Sequence, residues 1–288
     1  MLFVILSVLC SVSVGILLKL AKKKQYSFYQ IISINYCIAW FLTKIIYQPE
    51  LKTDVSSTTK YIIIGLIFLL PVIFVFQAKA IKYSGIVKTD IAQRMSLFIS
   101  ILFSFFIVHE QFNQFKWIGI FIAFIAIFLT FYRKNDAEYA KKNKWYFLPL
   151  VLLGFGIIDI LFKNVASLKE IQFTELLFLV FPGAGVVSLF ISGYYLLKGK
   201  EKFNKTNILW GVGVGLLNFG NISFYIKAHQ VLSNNPSTVF ASMNMGVIML
   251  GSIIGIIAFR EKVNQWNYIG LFLSLVAIAI ITYTQMQN

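Results

Sequence analysis

The chain has 288 residues, of which 58% are hydrophobic and 13% charged, and its mean hydropathy is +0.78. A soluble domain carries about 25% charged residues, so polar groups cannot cover this surface and much of it must face lipid. The net charge of +15 does not indicate nucleic-acid binding, because the lysines stand in short segments between apolar runs, where they set membrane orientation.

Ten apolar runs of about the length of a membrane span follow one another along the chain. We predict helices, since the runs are too long and too uniformly apolar for barrel strands. The first run is expected to stay as a helix, because its lysines follow it and no cleavage site is visible. The predicted spans are Leu2–Leu20, Ser27–Tyr47, Tyr61–Ala80, Ile86–Val108, Phe115–Tyr132, Trp145–Val165, Phe173–Leu197, Ile208–Ala228, Ser237–Phe259 and Trp266–Thr284.

One motif occurs in both halves of the chain. Residues 108–119 read VHEQFNQFKWIG and residues 259–270 read FREKVNQWNYIG, so that Glu110 matches Glu261. The charged linker 133–144 divides the chain into five spans (1–132) and five spans (145–288). Because five is odd, two such halves enter the membrane in opposite orientations, which is the inverted repeat of secondary transporters.

The basic residues favour one orientation of the chain. They concentrate in the odd-numbered loops, which predicts that these loops are cytoplasmic and that both termini lie outside the inner (plasma) membrane. The odd-numbered loops hold Lys22–Lys24, Lys82, Arg133, Lys134, Lys141, Lys142, Lys144, Lys198, Lys200, Lys202, Lys205, Arg260 and Lys262, and the even-numbered loops hold Lys52, Lys60, Lys116, Lys169 and Lys227.

Proline and glycine interrupt the third, seventh and eighth spans. Each could be ordinary helix packing, but their concentration favours helices that move or line a cavity. Within the eighth span, Gly211 and Gly215 could serve an internal contact or a homodimer. The interrupting residues are Pro71, Pro182, Gly183, Gly211, Gly213, Gly215 and Gly220.

Ionisable residues inside spans are the first candidates for a binding site, because they are costly to place there. Asp159 lies in the sixth span, and Asp90 and Arg94 lie one helical turn apart in the fourth. Each could be a structural ion pair or a solute site. Opposite charges at Asp159 and Arg94 suit a zwitterion. Further polar candidates for the cavity lining are Gln93, Asn218, Asn221 and Asn244, each of which could equally hold helices together.

Glu110 and Glu261 stand between two spans in their respective halves. A carboxylate there is favoured by the positive end of a following helix, and gating is the alternative. Enzyme signals are poor, because the two histidines, His109 and His229, form no metal motif and no P-loop is present. We expect no catalytic residue, metal or cofactor, and transport would use a gradient, proton coupling being one choice.

The residues of the first half resemble the EamA repeat of the drug/metabolite transporter superfamily. The match lies in the segment 80–84 (AIKYS), the pair His109-Glu110 and the helix start 117–119 (WIG), and the second half shows Glu261 and the helix start 268–270 (YIG). The chain departs from the family pattern where His109 and Arg260 replace a glycine.

This resemblance implies ten helices around a central cavity, alternating access and a metabolite as substrate. It also implies termini in the cytoplasm, against the charge count. The sequence therefore predicts an all-α membrane protein that transports, and most simply exports, a small organic solute such as an amino acid. A membrane-embedded lipid-handling protein and a scaffold without transport activity are the alternatives.

Overall fold

The computed structural model describes residues 1–23, 26–50, 55–84, 86–130, 146–259 and 264–286. These residues form ten helices and no strand, which confirms the predicted all-α class. The predicted linker 133–144 and Glu261 lie outside the described residues. The helices are α1 (Leu2–Lys23), α2 (Phe28–Tyr47), α3 (Ser57–Ser84), α4 (Ile86–Phe106), α5 (Gln114–Thr130), α6 (Phe147–Ser167), α7 (Phe173–Leu197), α8 (Thr206–Val231), α9 (Pro236–Phe259) and α10 (Gln265–Met286).

Each predicted span falls on one of these helices. Six helices, namely α2, α3, α6, α7, α8 and α9, are long and apolar enough to cross a membrane. The apolar stretches of α1, α4, α5 and α10 are shorter. Many large apolar side chains are exposed on the outside of the bundle, among them Phe190 at 75% and Ile257 at 74%. Exposed apolar surface of this extent marks a membrane or protein contact, and together with six helices of spanning length it indicates a multi-pass membrane protein.

The two halves of the chain do not form separate bodies. Helices α1 and α2 pack mainly on α8, α3 and α4 pack on α6, and α5 packs on α10. One large buried core contains residues from both halves. The helices of the first half are therefore held in place by helices of the second.

Glycines let helices from the two halves approach closely. A methyl group at Gly211 would lie 2.5 Å from Cβ of Ile34, and one at Gly215 would lie 2.7 Å from Cβ of Ile38 and 3.0 Å from the Asn35 carbonyl oxygen. Both glycines thus serve a contact between α8 and α2 inside the chain. Pro71 and Pro182 lie within α3 and α7, whose helical structure continues through them.

Substitution of Gly215 tests the close contact of α8 with α2. We expect Gly215→Ala to destabilise the protein by about 1–3 kcal/mol, because the backbone of α2 would have to move. Gly193→Ala in α7 is the matched control, since no atom lies within 4 Å of its added methyl group. This control should be neutral or stabilising by up to about 1 kcal/mol. Melting temperatures in detergent measure both, and equal shifts would refute the packing role.

Candidate functional site

Asp159, midway along α6, is held by side chains from two other helices. The Tyr225 hydroxyl on α8 donates to Oδ1 at 3.0 Å, and the Ser100 hydroxyl on α4 donates to Oδ2 at 3.3 Å. Tyr225 and Ser100 are buried, and Asp159 is partly exposed. A carboxylate has about four lone-pair sites, so both oxygens can still accept a hydrogen bond from a bound molecule.

Arg94 on α4 is the positive group of the same region. Its Nη1 donates to Asn244 Oδ1 on α9 at 3.4 Å, and its charge acts on the Asp159 carboxylate. Gln77 on α3 also contacts α4, because its Nε2 donates to Gln93 Oε1 at 2.8 Å. Helix α4 therefore carries polar side chains to α3, α6 and α9, and contacts or charge link three predicted site residues: Arg94, Asp159 and Asn244. Gln93 is next to Arg94 in the chain, and its side chain bonds to Gln77 of α3. We call Arg94, Gln93, Asp159 and Asn244, with Ser100 and Tyr225, the Asp159 cluster.

Asp90 lies on α4 one turn before Arg94, but its side chain is outside the described part. The predicted ion pair between Asp90 and Arg94 therefore stays a prediction.

Asn218 and Asn221 make their recorded polar contacts elsewhere. Asn218 Nδ2 donates to Asn35 Oδ1 at 3.1 Å, which joins α8 to α2. The Ser7 hydroxyl donates to Asn221 Oδ1 at 2.8 Å and to its backbone oxygen at 3.0 Å, which joins α8 to α1. These contacts fit the role of holding helices together, which sequence reasoning left open.

Glu110 is buried at the corner between α4 and α5, and it caps a helix of the other half. Its Oε2 accepts the backbone N–H of Ser237 at 3.1 Å, and its Oε1 accepts the Ser237 hydroxyl at 2.9 Å. Ser237 is the second residue of α9, so the carboxylate satisfies the unpaired N–H groups of that helix end. The structure thus places Glu110 at the start of α9 and not at the start of α5. The start of α5 is capped by Asn113, which accepts the backbone N–H of Lys116 at 2.8 Å.

Lys116 completes this arrangement from α5. Its ammonium group donates to Glu110 and, at 3.2 Å, to Asn235 Oδ1. Glu110 is 5% exposed and Lys116 is 2% exposed, so the ion pair is buried. We call Glu110, Lys116, Asn235 and Ser237 the corner lock. His109 enters the corner with a φ of +56°, a left-handed conformation that favours glycine.

Several of these residues were not found from the sequence. The sequence predicts Lys116 as a loop charge, and Tyr225 and Ser100 look like ordinary span residues. His229, one turn after Tyr225, is 2% exposed and packs against the rings of Tyr225 and Phe240. Neither ring nitrogen of His229 has a hydrogen-bond partner among the described residues. No local pattern signals such contacts, because they join helices far apart in the chain.

Comparison with known proteins gives three results. The sequence model of the EamA-like transporter family matches residues 1–132. An uncharacterized protein of Haemophilus influenzae is 41% identical over 286 residues, and the match covers 97% of each chain. A crystal structure of a protein that is 12% identical has the same fold, with a TM-score of 0.71 over 98% of this chain and 97% of the other.

The corner lock predicts a large effect of removing one charge. Glu110→Gln leaves Lys116 buried without its counter-charge, which typically costs about 3–5 kcal/mol. We expect a clear fall in melting temperature in detergent. The double variant Glu110→Gln/Lys116→Met removes both charges and should recover part of the loss. Additive losses in the double variant would contradict a buried pair.

His109→Gly should have the opposite effect. A left-handed residue costs roughly 1–2 kcal/mol, and glycine adopts that conformation freely, at a cost of about 0.5–1 kcal/mol in the unfolded chain. We therefore expect a net stabilisation of about 0.5–1 kcal/mol from these two terms. Gln111→Gly, two residues on and without a positive φ, is the matched control and should not stabilise. Melting temperatures in detergent measure both variants. A lower melting temperature for His109→Gly than for the wild type would contradict backbone strain at residue 109.

Proposed function

This chain belongs to the EamA-like transporter family, and from that premise we propose that it is a secondary transporter of a small organic metabolite such as an amino acid. The observation that carries the proposal is the Asp159 cluster. It gathers a carboxylate, a guanidinium and amide groups from α3, α4, α6, α8 and α9 in the interior of an otherwise apolar bundle. Ionisable groups at such depth mark solute or ion pathways.

The chemistry of the cluster suits a zwitterion. Asp159 offers acceptor oxygens to an ammonium group, and Arg94 offers a forked donor to a carboxylate. Gln93 and Asn244 supply neutral polar groups nearby. Asn218 and Asn221 would shape the cavity from α8, and Asp90 would stand one turn from Arg94.

The proposed architecture is ten membrane spans in two inverted repeats around this cluster. The helix pairing supports it, because pairs recur when each helix is exchanged for its counterpart in the other half. The pairs α1–α8, α2–α8 and α1–α9 correspond in this way to α6–α3, α7–α3 and α6–α4. The lysine distribution supports a placement in the inner membrane with both termini outside.

The corner lock is the proposed gate on the side of the even-numbered loops. Glu110 ties the start of α9 to the corner between α4 and α5, and both helices contribute to the Asp159 cluster. Release of the lock would let α9 move from α4 and open the cavity to that side, where an exported solute would leave. Glu261 holds the matching position of the repeat and would act on the opposite side.

The Asp159 carboxylate is also the group through which we propose that solute export is coupled to proton entry. Asp159 can hold a proton or the ammonium group of a solute, but not both at once. Exchange of one for the other across the membrane would drive the solute outward against its gradient.

Counterflow in proteoliposomes tests the proposed function. Vesicles loaded with a mixed pool of unlabelled amino acids are exposed to labelled ones, and empty liposomes serve as a blank. We expect saturable accumulation of at least one amino acid. Asp159→Asn and Arg94→Gln should each reduce the transport efficiency about 10–100-fold, the value of a hydrogen bond to a charged group.

Glu175→Gln is the matched control for the loss of a carboxylate. Glu175 is buried on α7, outside the Asp159 cluster, and its variant should transport normally. An imposed pH gradient should drive transport in the wild type and not in Asp159→Asn. The amino-acid assignment fails if monodisperse protein accumulates none of them. The site assignment fails if both cluster variants transport at the wild-type rate.

A further inference from the structure

A second candidate site shares no residue with the Asp159 cluster. It lies where the loop between α7 and α8 meets the start of α2. A pocket of about 420 Å³ opens there. Among the residues that line it are Ser27, Lys200, Glu201, Lys202, Phe203 and Asn207.

The wall of this pocket is fixed by Gln30 of α2. Its Nε2 donates to the Lys202 backbone oxygen at 2.9 Å, and its Oε1 accepts from Asn207 Nδ2 at 2.8 Å and from the Asn204 N–H at 3.3 Å. The Ser27 hydroxyl donates to the Glu201 carboxylate. These hydrogen bonds hold the loop against the start of α2.

Asn207 leaves an acceptor unused in the pocket. Its side chain is 1% exposed, and its Oδ1 has no hydrogen-bond partner among the described residues. A buried acceptor without a partner is unfavourable, so a donor on a bound molecule would stabilise this oxygen. Lys200 and Lys202, which line the same pocket and are exposed, offer positive charge to an anion. The pocket thus suits a molecule that carries both a negative charge and a hydrogen-bond donor.

The surroundings of the pocket identify the source of that molecule. Leu197 is 91% exposed and Phe203 is 65% exposed, although both are large and apolar. They stand in one short segment with Lys198, Lys200, Lys202 and Lys205. Apolar side chains that enter the acyl region beside lysines that meet anionic headgroups are typical of a membrane interface.

We propose that this pocket binds the headgroup of an anionic phospholipid from the leaflet that faces the α7–α8 loop. The phosphodiester lies between Lys200 and Lys202, and a hydroxyl or ammonium group of the headgroup donates to Asn207 Oδ1. The Glu201 carboxylate also lines the pocket, and the Ser27 hydroxyl holds it against the wall. The site is separate from the proposed transport site and does not depend on it.

The test measures lipid binding by native mass spectrometry and by melting temperature in detergent with added lipid. Phosphatidylglycerol has a phosphodiester and hydroxyl donors, whereas phosphatidylmethanol has the same charge and no donor. We expect the wild type to bind phosphatidylglycerol more tightly than phosphatidylmethanol. Equal binding would overturn the role of Asn207.

Two double variants separate the pocket from general surface charge. Lys200→Ala/Lys202→Ala removes the pocket lysines and should weaken phosphatidylglycerol binding at least about 10-fold, the value of one hydrogen bond to a charged group. Lys198→Ala/Lys205→Ala removes the same charge from the same loop, outside the pocket lining, and should bind nearly as the wild type. Equal losses in both variants would overturn the proposed site. Melting temperatures without lipid verify that both variants are folded.

A last arm distinguishes a lipid from a soluble phosphate ester. Glycerophosphoglycerol has the complete headgroup without acyl chains. We expect it to stabilise the wild type far less than phosphatidylglycerol at equal concentration, because Leu197 and Phe203 then contact nothing. Equal stabilisation would show that the pocket takes a soluble phosphate ester, and the assignment to lipid would be wrong. None of these experiments measures transport. Their outcome therefore tests the lipid site independently of the transporter function.

Discussion

A polar side chain within a membrane must find its partner within the protein, because lipid offers none. Serine and threonine here often bond to a carbonyl of their own helix, and where the partner is on another helix it usually belongs to the other half. Ser100 binds Asp159, Arg94 binds Asn244, Asn35 binds Asn218, Ser7 binds Asn221, and Glu110 binds Ser237. The same requirement that satisfies buried polar groups therefore also determines how the two halves fit together.

The positions of the helices could be predicted from the sequence, because span length and apolar composition are local properties. Asp159 could also be predicted as a site residue, since a carboxylate is costly to place within a membrane span and is therefore a candidate for function. Its partners could not, because Tyr225 and Ser100 are common residues that become important only through their distance to Asp159. The roles of Asn218 and Asn221 could not be decided either, as amide side chains serve both binding and helix contact.

The duplicated motif predicts the position of Glu110 but not its contact partner. The duplicated motif indicates that the carboxylate matters at the corner between two helices. Its contact with α9 depends on how α4, α5 and α9 meet, which no spacing reveals. Asn113 and Asn264, in contrast, recur in the motif and act locally. Each accepts the backbone N–H three residues later, that of Lys116 at 2.8 Å and that of Asn267 at 2.9 Å, which is the usual helix cap.

The interlocked packing constrains the motion that the proposed transport cycle needs. A rocking of the first half against the second would separate Gly211 and Gly215 from α2, and Gly183 from Ile67 of α3, where the helices are in close contact. Close packing of this kind resists sliding. The most extensive pairs combine helices of both halves, among them α1 with α8, α2 with α7 and α8, and α3 with α6 and α7. By comparison, α4 and α9 meet over a smaller area, through the Arg94–Asn244 contact and through Glu110 at the corner. Polar contacts of this type can exchange partners without leaving a void, so the contact of α4 with α9 is where the proposed alternation of access would take place.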